Sequence, residues 1–322
     1  MKRLWQALAA ALAVALIASG SVALADHGKP GKGKKARAAA TKVFTLADST
    51  TGNNPEGVAS AGRGVFFVGT VGNGTIYRGT TDNLTVPIFI AGATGKSAVG
   101  MKVARGKLYV AGGGTGTITV YDIATKAVVA TFNTGAGGFL NDLVVTKQGD
   151  VFVTDSFRPT LWHVTAAQVA AGTGTPQAIS VAPEITFQSG AFNLNGIVAK
   201  KGGRQLIVVQ SNNGKLFRID LTATGRTITQ IDAPAVVGGD GMLLDRGRLI
   251  VVQGGASPKL TFLKLRSNST RGEIVATRTD PSLRGSSTVA RSGKLLLVVN
   301  AAFGQPAPYT VSGLPRKAGD DD

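Results

Sequence analysis

Short apolar stretches separated by polar or glycine-rich turns recur six times along the chain. Each unit has an apolar strand, a turn that contains glycine, a second apolar strand, a loop, a third strand and a variable closing segment. Frequent turns between short strands are typical of all-β proteins, and the 44 glycines agree with that class. One residue, usually followed by glycine, precedes the first strand of each unit: Glu56, Val99, Asn141, Asn195, Asp240 and Arg284.

The length of the repeat selects the architecture. These positions recur at intervals of 42 to 54 residues, and four-stranded units of about 40–50 residues are typical of β-propellers. We predict an all-β, six-bladed β-propeller over residues 41–314, in which the strand Lys42–Leu46 completes the last blade. The longest interval fits an insertion around Ala166–Ser189 that contains a short helical turn. Two stacked sandwich domains are the alternative, and the six aligned turns argue against them.

The N-terminal pattern is that of a targeting segment. Lys2 and Arg3 precede an apolar stretch, Leu8–Ala18, and Ala23–Ala25 has the small-x-small pattern of a cleavage site. We therefore predict a cleaved signal peptide over residues 1–25 and a secreted protein. No later stretch is long and apolar enough to predict a membrane span. The chain has no cysteine, so the predicted core forms without disulfides, and thiolate chemistry is excluded.

The formal net charge of +17 is partly concentrated near the N-terminus. Residues 26–40 are rich in glycine and lysine and predict a disordered basic tail, as residues 315–322 predict a disordered C-terminal tail. The basic tail is interpreted either as a solvated linker or as a weak contact with an anionic cell surface. Basic residues do not alternate with aromatic ones, so specific nucleic-acid binding is not predicted. A closed ring can exist as a monomer, which is the state that we expect.

The inner strands of a propeller line its central channel, so the six repeat positions should gather around one axis. Four of them carry side-chain oxygens, and Asp142 adds a carboxylate next to Asn141. Carboxylate and amide oxygens suit a hard divalent cation, calcium first, with manganese or magnesium as alternatives; zinc usually prefers nitrogen or sulfur. Asn-Gly and Asp-Gly are also common turn pairs, so a purely structural role for these positions is the competing interpretation.

Four blocks of sequence, in order, carry a resemblance to a known family. They are NPEGVA, LNDLVVTKQGDVFVTD, LNGIVAKKGGRQLIVVQSNNGKLFRID and GDGMLLDRGRLIVVQGG. Together they resemble the SMP-30/gluconolactonase family of six-bladed propellers, which is distantly related to the paraoxonases. The resemblance extends over roughly residues 41–314. It implies a single divalent metal ion in the channel, and the family's metal-binding Glu, Asn and Asp match Glu56, Asn195 and Asp240.

The resemblance also implies an activity. Members of the family hydrolyse lactones and, in some cases, organophosphate esters, so we predict a metal-dependent hydrolase of a small-molecule lactone or ester. Asn141 is a further metal ligand or a substrate contact, and Asp240 or Asp142 is the general base. Arg284 binds a substrate carboxylate or oxyanion, or else forms a salt bridge. The alternative is a non-catalytic secreted propeller with a structural calcium ion, which Phe139 favours because sugar lactonases often carry arginine there.

Overall fold

The structure, a computed structural model, describes residues 40–223 and 225–316. Over these residues the strands form six sheets whose inner strands contact one another in turn and close into a ring. The predicted all-β, six-bladed β-propeller is therefore confirmed, and the sandwich alternative is wrong. The predicted signal peptide and nearly all of the two predicted tails lie outside the described residues. No helix in the described part of the chain has the length and apolar character needed to cross a bilayer.

The strands follow one another through the blades in sequence order. The chain enters through β1 (Lys42–Leu46), and blade 1 then consists of β2 (Pro55–Gly62), β3 (Val65–Thr70), β4 (Ile76–Thr80) and, after β5 (Thr85–Val86), β6 (Ile88–Ile90). Blade 2 consists of β7 (Met101–Ala104), β8 (Lys107–Ala111), β9 (Thr117–Asp122) and β10 (Val128–Asn133). Blade 3 consists of β11 (Leu140–Val145), β12 (Val151–Asp155), β13 (Thr160–Val164) and β14 (Gln177–Ser180).

The second half of the ring repeats this plan. Blade 4 consists of β15 (Leu194–Lys200), β16 (Gln205–Gln210), β17 (Lys215–Thr222) and β18 (Gly225–Gln230), with a 3-10 turn at Lys201–Gly203. Blade 5 consists of β19 (Gly239–Asp245), β20 (Arg248–Gln253), β21 (Lys259–Leu265) and β22 (Gly272–Arg278). Blade 6 consists of β23 (Ser286–Ser292), β24 (Leu295–Asn300), β25 (Thr310–Pro315) and β1.

Strand β1 closes the ring. It pairs antiparallel with β25 of blade 6, with Phe44 opposite Val311, and its other edge pairs in parallel with β5, with Thr45 opposite Thr85. The first described strand thus completes the last blade and also joins it to blade 1, and the predicted role of Lys42–Leu46 is confirmed. Such closure leaves blade 6 without the exposed edge that invites aggregation.

Three inner hairpins turn on the same dipeptide. The two-residue loops Arg63-Gly64, Arg105-Gly106 and Arg246-Gly247 join the first and second strands of blades 1, 2 and 5. All six residues have positive φ, as a type I′ turn requires at both central positions. The turn fits the right-handed twist of the strands that it connects, so these short loops fix the register of the channel-lining strands.

The insertion in blade 3 contains helix α1 (Ala166–Ala171), as the sequence predicts. Thr165 caps its N-terminus: the Thr165 side chain accepts a hydrogen bond from the Gln168 amide, and the Gln168 side chain accepts one from the Thr165 amide. Gly172 ends the helix in the left-handed conformation. The helix lies between β13 and β14 and accounts for part of the long third repeat.

The apolar core is divided among the blade interfaces. Six clusters of buried side chains occur in the described part of the chain, and each combines residues from two neighbouring blades. At the closing interface, fully buried Phe44 of β1 meets Phe66 of β3 edge to face, with ring centroids 5.3 Å apart. Burial of these faces holds the ring together without disulfides.

Candidate metal centre in the channel

Five of the six inner strands begin with a β-bulge. The strand register shifts at Pro55/Val58, Leu140/Leu143, Leu194/Ile197, Gly239/Met242 and Ser286/Val289. A bulge places an extra residue in one strand and changes the direction of its side chain. The two residues inside each bulge are therefore equivalent among the blades, and they include the dipeptides that the sequence repeat identifies.

The glycines of these dipeptides allow successive blades to meet. A Cβ atom on Gly57 would overlap the carbonyl oxygen of Val99 in the next blade, and one on Gly196 would overlap the carbonyl oxygen of Asp240. Only glycine fits such a close approach of two backbones. At these junctions the beginnings of neighbouring inner strands are consequently in close backbone contact.

Hydroxyl groups connect the ring where glycine is missing. The Thr154 hydroxyl lies 2.6 Å from the Asn195 carbonyl oxygen and links blades 3 and 4. The Ser287 hydroxyl donates to the Glu56 carbonyl oxygen at 2.7 Å and links blade 6 to blade 1. Both hydroxyl groups thus form hydrogen bonds with the backbone carbonyl oxygens of predicted site residues.

The blade 6 member of this ring is Ser287, whereas the sequence predicts Arg284. Ser287 and Thr288 occupy the bulge of β23, while Arg284 is exposed and lies before that strand begins. Arg284 was assigned to the ring because Gly285 comes directly after it, and this assignment to the ring position is wrong. In the other blades the dipeptide stands directly before the first apolar strand residue, and in blade 6 only Ser287-Thr288 precedes Val289 in this way. That spacing was the signal that sequence reasoning missed.

The channel ring is therefore Glu56, Val99, Asn141, Asn195, Asp240 and Ser287. Among the described residues, four side-chain oxygens of this ring are buried without a hydrogen-bond partner: Glu56 Oε2, Asn141 Oδ1, Asn195 Oδ1 and Asp240 Oδ1. Buried polar atoms almost always have a partner, so each such atom requires an explanation. These four residues are the metal ligands that the sequence predicts.

The orientation of the Asn141 amide follows from its neighbours. The Ser156 hydroxyl donates to the Leu194 carbonyl oxygen at 2.6 Å, so its proton is used. Ser156 can therefore only accept from the Asn141 side chain 3.0 Å away, which must present its nitrogen there. Asn141 Oδ1 is thereby held on the opposite side of the amide, without a partner.

Asn195 and Asp240 form a second fixed pair. The Asn195 side chain donates a hydrogen bond to the Asp240 carboxylate, which leaves Asn195 Oδ1 free to bind another group. Burial and the nearby Asp142 carboxylate raise the pKa of Asp240 from 3.8 to about 8. Asp240 as a residue is only partly covered, but its Oδ1 atom is buried. The ionised form is therefore unfavourable unless a positive charge lies close by.

The pKa of Glu56 is raised by the same physical effects as that of Asp240. Burial, then the carboxylates of Asp240 and Asp142, raise the pKa of Glu56 well above its usual range, while Lys102 lowers it. The Lys102 ammonium lies 3.1 Å from Asp142 Oδ1. Three carboxylates thus share one ammonium group, and full ionisation leaves two negative charges. A divalent cation would neutralise them.

The donor set fits a hard divalent cation. It consists of two carboxylate and two amide oxygens, all buried and free, and oxygen ligands of this mixture suit calcium in particular. In the described part of the chain, no group of three or more His, Cys, Asp or Glu side chains converges as a metal site. The amides of Asn141 and Asn195 are therefore essential members of the set, and both the binding of a metal ion and its identity stay predictions.

The channel also has a charged cavity beyond the ring. A cavity of about 390 Å³ lies along the later residues of the inner strands of blades 1, 2, 5 and 6. Its lining includes Lys102, Asp245, Arg246 and Arg291, and none of the four unpartnered oxygens. Arg291 and Arg316 both pair with Asp245. The ion pairs thus lie along the later part of the inner strands, and the candidate metal ligands lie where these strands begin.

Known structures share this fold. A gluconolactonase from Xanthomonas campestris, XC5397, superposes with a TM-score of 0.60 at 17% identity, over 86% of this chain and 90% of that one. A putative gluconolactonase superposes with a TM-score of 0.61 at 14% identity, over 86% and 93% of the two chains. The resemblance to gluconolactonase-like six-bladed propellers is confirmed at the level of the fold.

The same fold occurs with other activities. Virginiamycin B lyase from Staphylococcus aureus superposes with a TM-score of 0.55 at 12% identity, over 86% of this chain and 99% of that one. No known family model matches the sequence, and neither does any curated protein. At these identities the comparisons establish architecture, and chemistry must be argued from the channel.

Proposed function

We propose that this protein hydrolyses small-molecule lactones or esters with a divalent cation, calcium by preference, bound in the channel. The observation that carries the proposal is the group of four buried and unpartnered oxygens, on Glu56, Asn141, Asn195 and Asp240. The shared fold with gluconolactonases supports the same class of reaction. A cation in such a site supplies polarisation of a substrate carbonyl and a lowered pKa for water.

The residues of the candidate site have two roles, as metal ligands and as a general base. Glu56, Asn141, Asn195 and Asp240 would hold the cation. Asp142 is the better candidate for the general base, because its Oδ2 atom has only a long contact, 3.4 Å, to the amide of Ile197. Its Oδ1 atom is occupied by Lys102 and by the Leu143 amide.

The proposed reaction is ordinary ester hydrolysis. Asp142 takes a proton from water while the water oxygen attacks the carbonyl carbon. The carbonyl carbon–oxygen bond to the leaving group then breaks, and the leaving alkoxide takes a proton from Asp142. A lactone gives one hydroxy acid, and an ester gives an acid and an alcohol. Contact of Arg284 with a substrate stays a prediction and carries no step here.

A panel of lactones and aryl esters, assayed with and without chelator, tests the proposal. We expect turnover that chelator removes and calcium restores. D240N should lose both turnover and cation binding, whereas D142N should keep cation binding and lose turnover. D232N is the matched control, because Asp232 is exposed and paired with Arg271. Full turnover in D240N would overturn the proposal.

The competing function is a non-catalytic binding propeller with a structural calcium ion. The shared fold with an allergen, Mala s 1 of Malassezia sympodialis, shows that the likeness extends beyond proteins named as enzymes; it has a TM-score of 0.61 at 12% identity, over 81% of this chain and 92% of that one. Cation binding without chelator-sensitive turnover on the whole panel would favour this function. We further propose export, and N-terminal sequencing of secreted protein should begin at Asp26.

A further inference from the structure

Three phenylalanines meet at the ligand end of the channel. Phe139 precedes β11, Phe157 follows β12 and Phe192 precedes β15, and all three are partly exposed. Their ring centroids lie 5.6 Å (Phe139–Phe157), 5.2 Å (Phe139–Phe192) and 4.9 Å (Phe157–Phe192) apart. We call this cluster the phenylalanine trio. Phe139 and Phe192 come shortly before the candidate ligands Asn141 and Asn195, and Phe157 follows Ser156, which accepts a hydrogen bond from the Asn141 side chain.

The trio is continuous with the apolar member of the channel ring. A Cβ atom on Gly113 would lie 2.9 Å from Val99 Cγ2 and 3.3 Å from the edge of the Phe139 ring, so both side chains border the same small space. Val99 is fully buried at the ring position of blade 2. Val99 and Phe139 thus both pack against Gly113, and the partly exposed rings of the trio form an apolar surface beside the channel ring.

Buried polar groups hold this surface in place from behind. Asp155, which is fully buried, accepts hydrogen bonds from the amides of Phe139 (2.9 Å) and Phe157 (3.1 Å) and pairs with Arg158 at 2.7 Å. The Asn193 side chain donates to the Ser156 and Ala191 carbonyl oxygens and so fixes the loop that carries Phe192. The polar groups of these loops are satisfied internally, and the rings form the outward face.

On the basis of the proposed function, we propose that the trio binds the apolar part of the substrate, an alkyl chain or an aromatic ring of a lactone or ester. Aromatic side chains that line a pocket favour apolar groups, and they offer a polyhydroxylated substrate no hydrogen-bond partner for its hydroxyls. Backbones fixed by Asp155 and Asn193 present the rings with little loss of conformational entropy on binding. Phe139, Phe157 and Phe192 are thus the specificity-determining residues of the channel mouth.

Binding of a homologous series tests this inference without any turnover. γ-Butyrolactone, γ-hexalactone, γ-octalactone and γ-decalactone are titrated calorimetrically into the full protein in the presence of chelator. Each buried methylene strengthens binding about fourfold at most, and we expect a two- to fourfold gain per methylene in the wild type. In the F157Q/F192Q variant the gain in affinity per methylene should fall below about 1.5-fold. The F192L variant, which keeps an apolar side chain, should retain most of the wild-type gain.

The matched control is F89Q. Phe89 is also partly exposed and also in edge-to-face contact with another ring, Phe67, with centroids 5.2 Å apart, but it lies on the outer strand of blade 1. It should keep the wild-type gain. The inference is overturned if the affinity of the wild type does not rise along the lactone series. It is also overturned if the F157Q/F192Q variant has a lower melting temperature yet keeps the wild-type gain in affinity per methylene. Should the double variant not fold, F192Q alone is expected to lose about half of the gain, and an unchanged gain there also overturns it.

The two proposals fail separately. If affinity rises along the lactone series but hydrolysis is not chelator-sensitive, the proposed hydrolase function is refuted and apolar binding by the phenylalanine trio is supported. If hydrolysis is chelator-sensitive but affinity does not rise along the series, the hydrolase function is supported and binding by the phenylalanine trio is refuted.

Discussion

Replacing Asp240 with asparagine should change how the stability of the metal-free protein depends on pH. Burial and Asp142 raise the pKa of Asp240 from 3.8 to about 8, so between these values the folded state holds a proton that the unfolded chain has released. The free energy of unfolding then falls as pH rises, by about 1.4 kcal/mol per pH unit for one such proton. The contribution is complete below pH 3.8 and is lost as pH rises through about 8. The side-chain amide of the D240N variant cannot titrate, so this variant loses the contribution of Asp240 and keeps only that of Glu56, whose pKa is also raised by burial.

Thermal melting in chelator measures the effect. For a domain of this size 1 kcal/mol corresponds to about 2–4 °C, so the wild type should lose on the order of 10 °C between pH 5 and pH 8. D240N should show a clearly smaller decline, and D232N, which changes an exposed carboxylate, should follow the wild type. Equal slopes for D240N and the wild type would refute the argument that burial and Asp142 raise the pKa of this carboxylate.

Calcium should reverse the loss in the wild type alone. Saturation to 100 times the dissociation constant stabilises the folded state by about 2.7 kcal/mol, or roughly 5–10 °C at pH 8. D240N should show little of this increase, because a ligand and its charge are gone. An undiminished calcium effect in D240N would place the cation elsewhere.

Three further substitutions test the site and the ring. S156A removes the group that orients the Asn141 amide and should weaken calcium binding about tenfold, measured by titration; an unchanged affinity would contradict the orienting role. G57A places a methyl group against the backbone of the next blade and should cost about 1–3 kcal/mol in urea unfolding, whereas G114A, with open space around it, should be nearly neutral; equal costs would contradict the close approach. F44A empties the closing interface and should cost about 3–5 kcal/mol, and a loss below about 1 kcal/mol would show that β1 does not secure the ring.

The fold was predictable because its information is local and repeated. Short apolar stretches, glycine turns and the interval between units predict four strands per blade, and Lys42–Leu46 is recognisable as the strand that blade 6 lacks. The ring position of Glu56, Asn195 and Asp240 follows from the same repetition. Arg284 was misplaced because the X-Gly pattern outweighed the distance to the first apolar strand residue.

Other parts of the site depend on contacts that no repeat encodes. The hydroxyl of Ser156 orients the Asn141 amide only because the carbonyl oxygen of a third residue, Leu194, accepts the hydroxyl's hydrogen bond. The phenylalanine trio joins three loops from two blades, and its members have no common position in the repeat. Long-range geometry of this kind becomes visible only when the blades are assembled.

The central claim is that four buried oxygens hold one divalent cation in the channel. A crystal structure of the protein with manganese, with anomalous data to locate the metal, tests it most directly. We expect one strong peak bounded by Glu56 Oε2, Asn141 Oδ1, Asn195 Oδ1 and Asp240 Oδ1, each at about 2.0–2.6 Å. A channel ring without a peak at saturating manganese, or a peak whose ligands exclude these oxygens, would contradict the account.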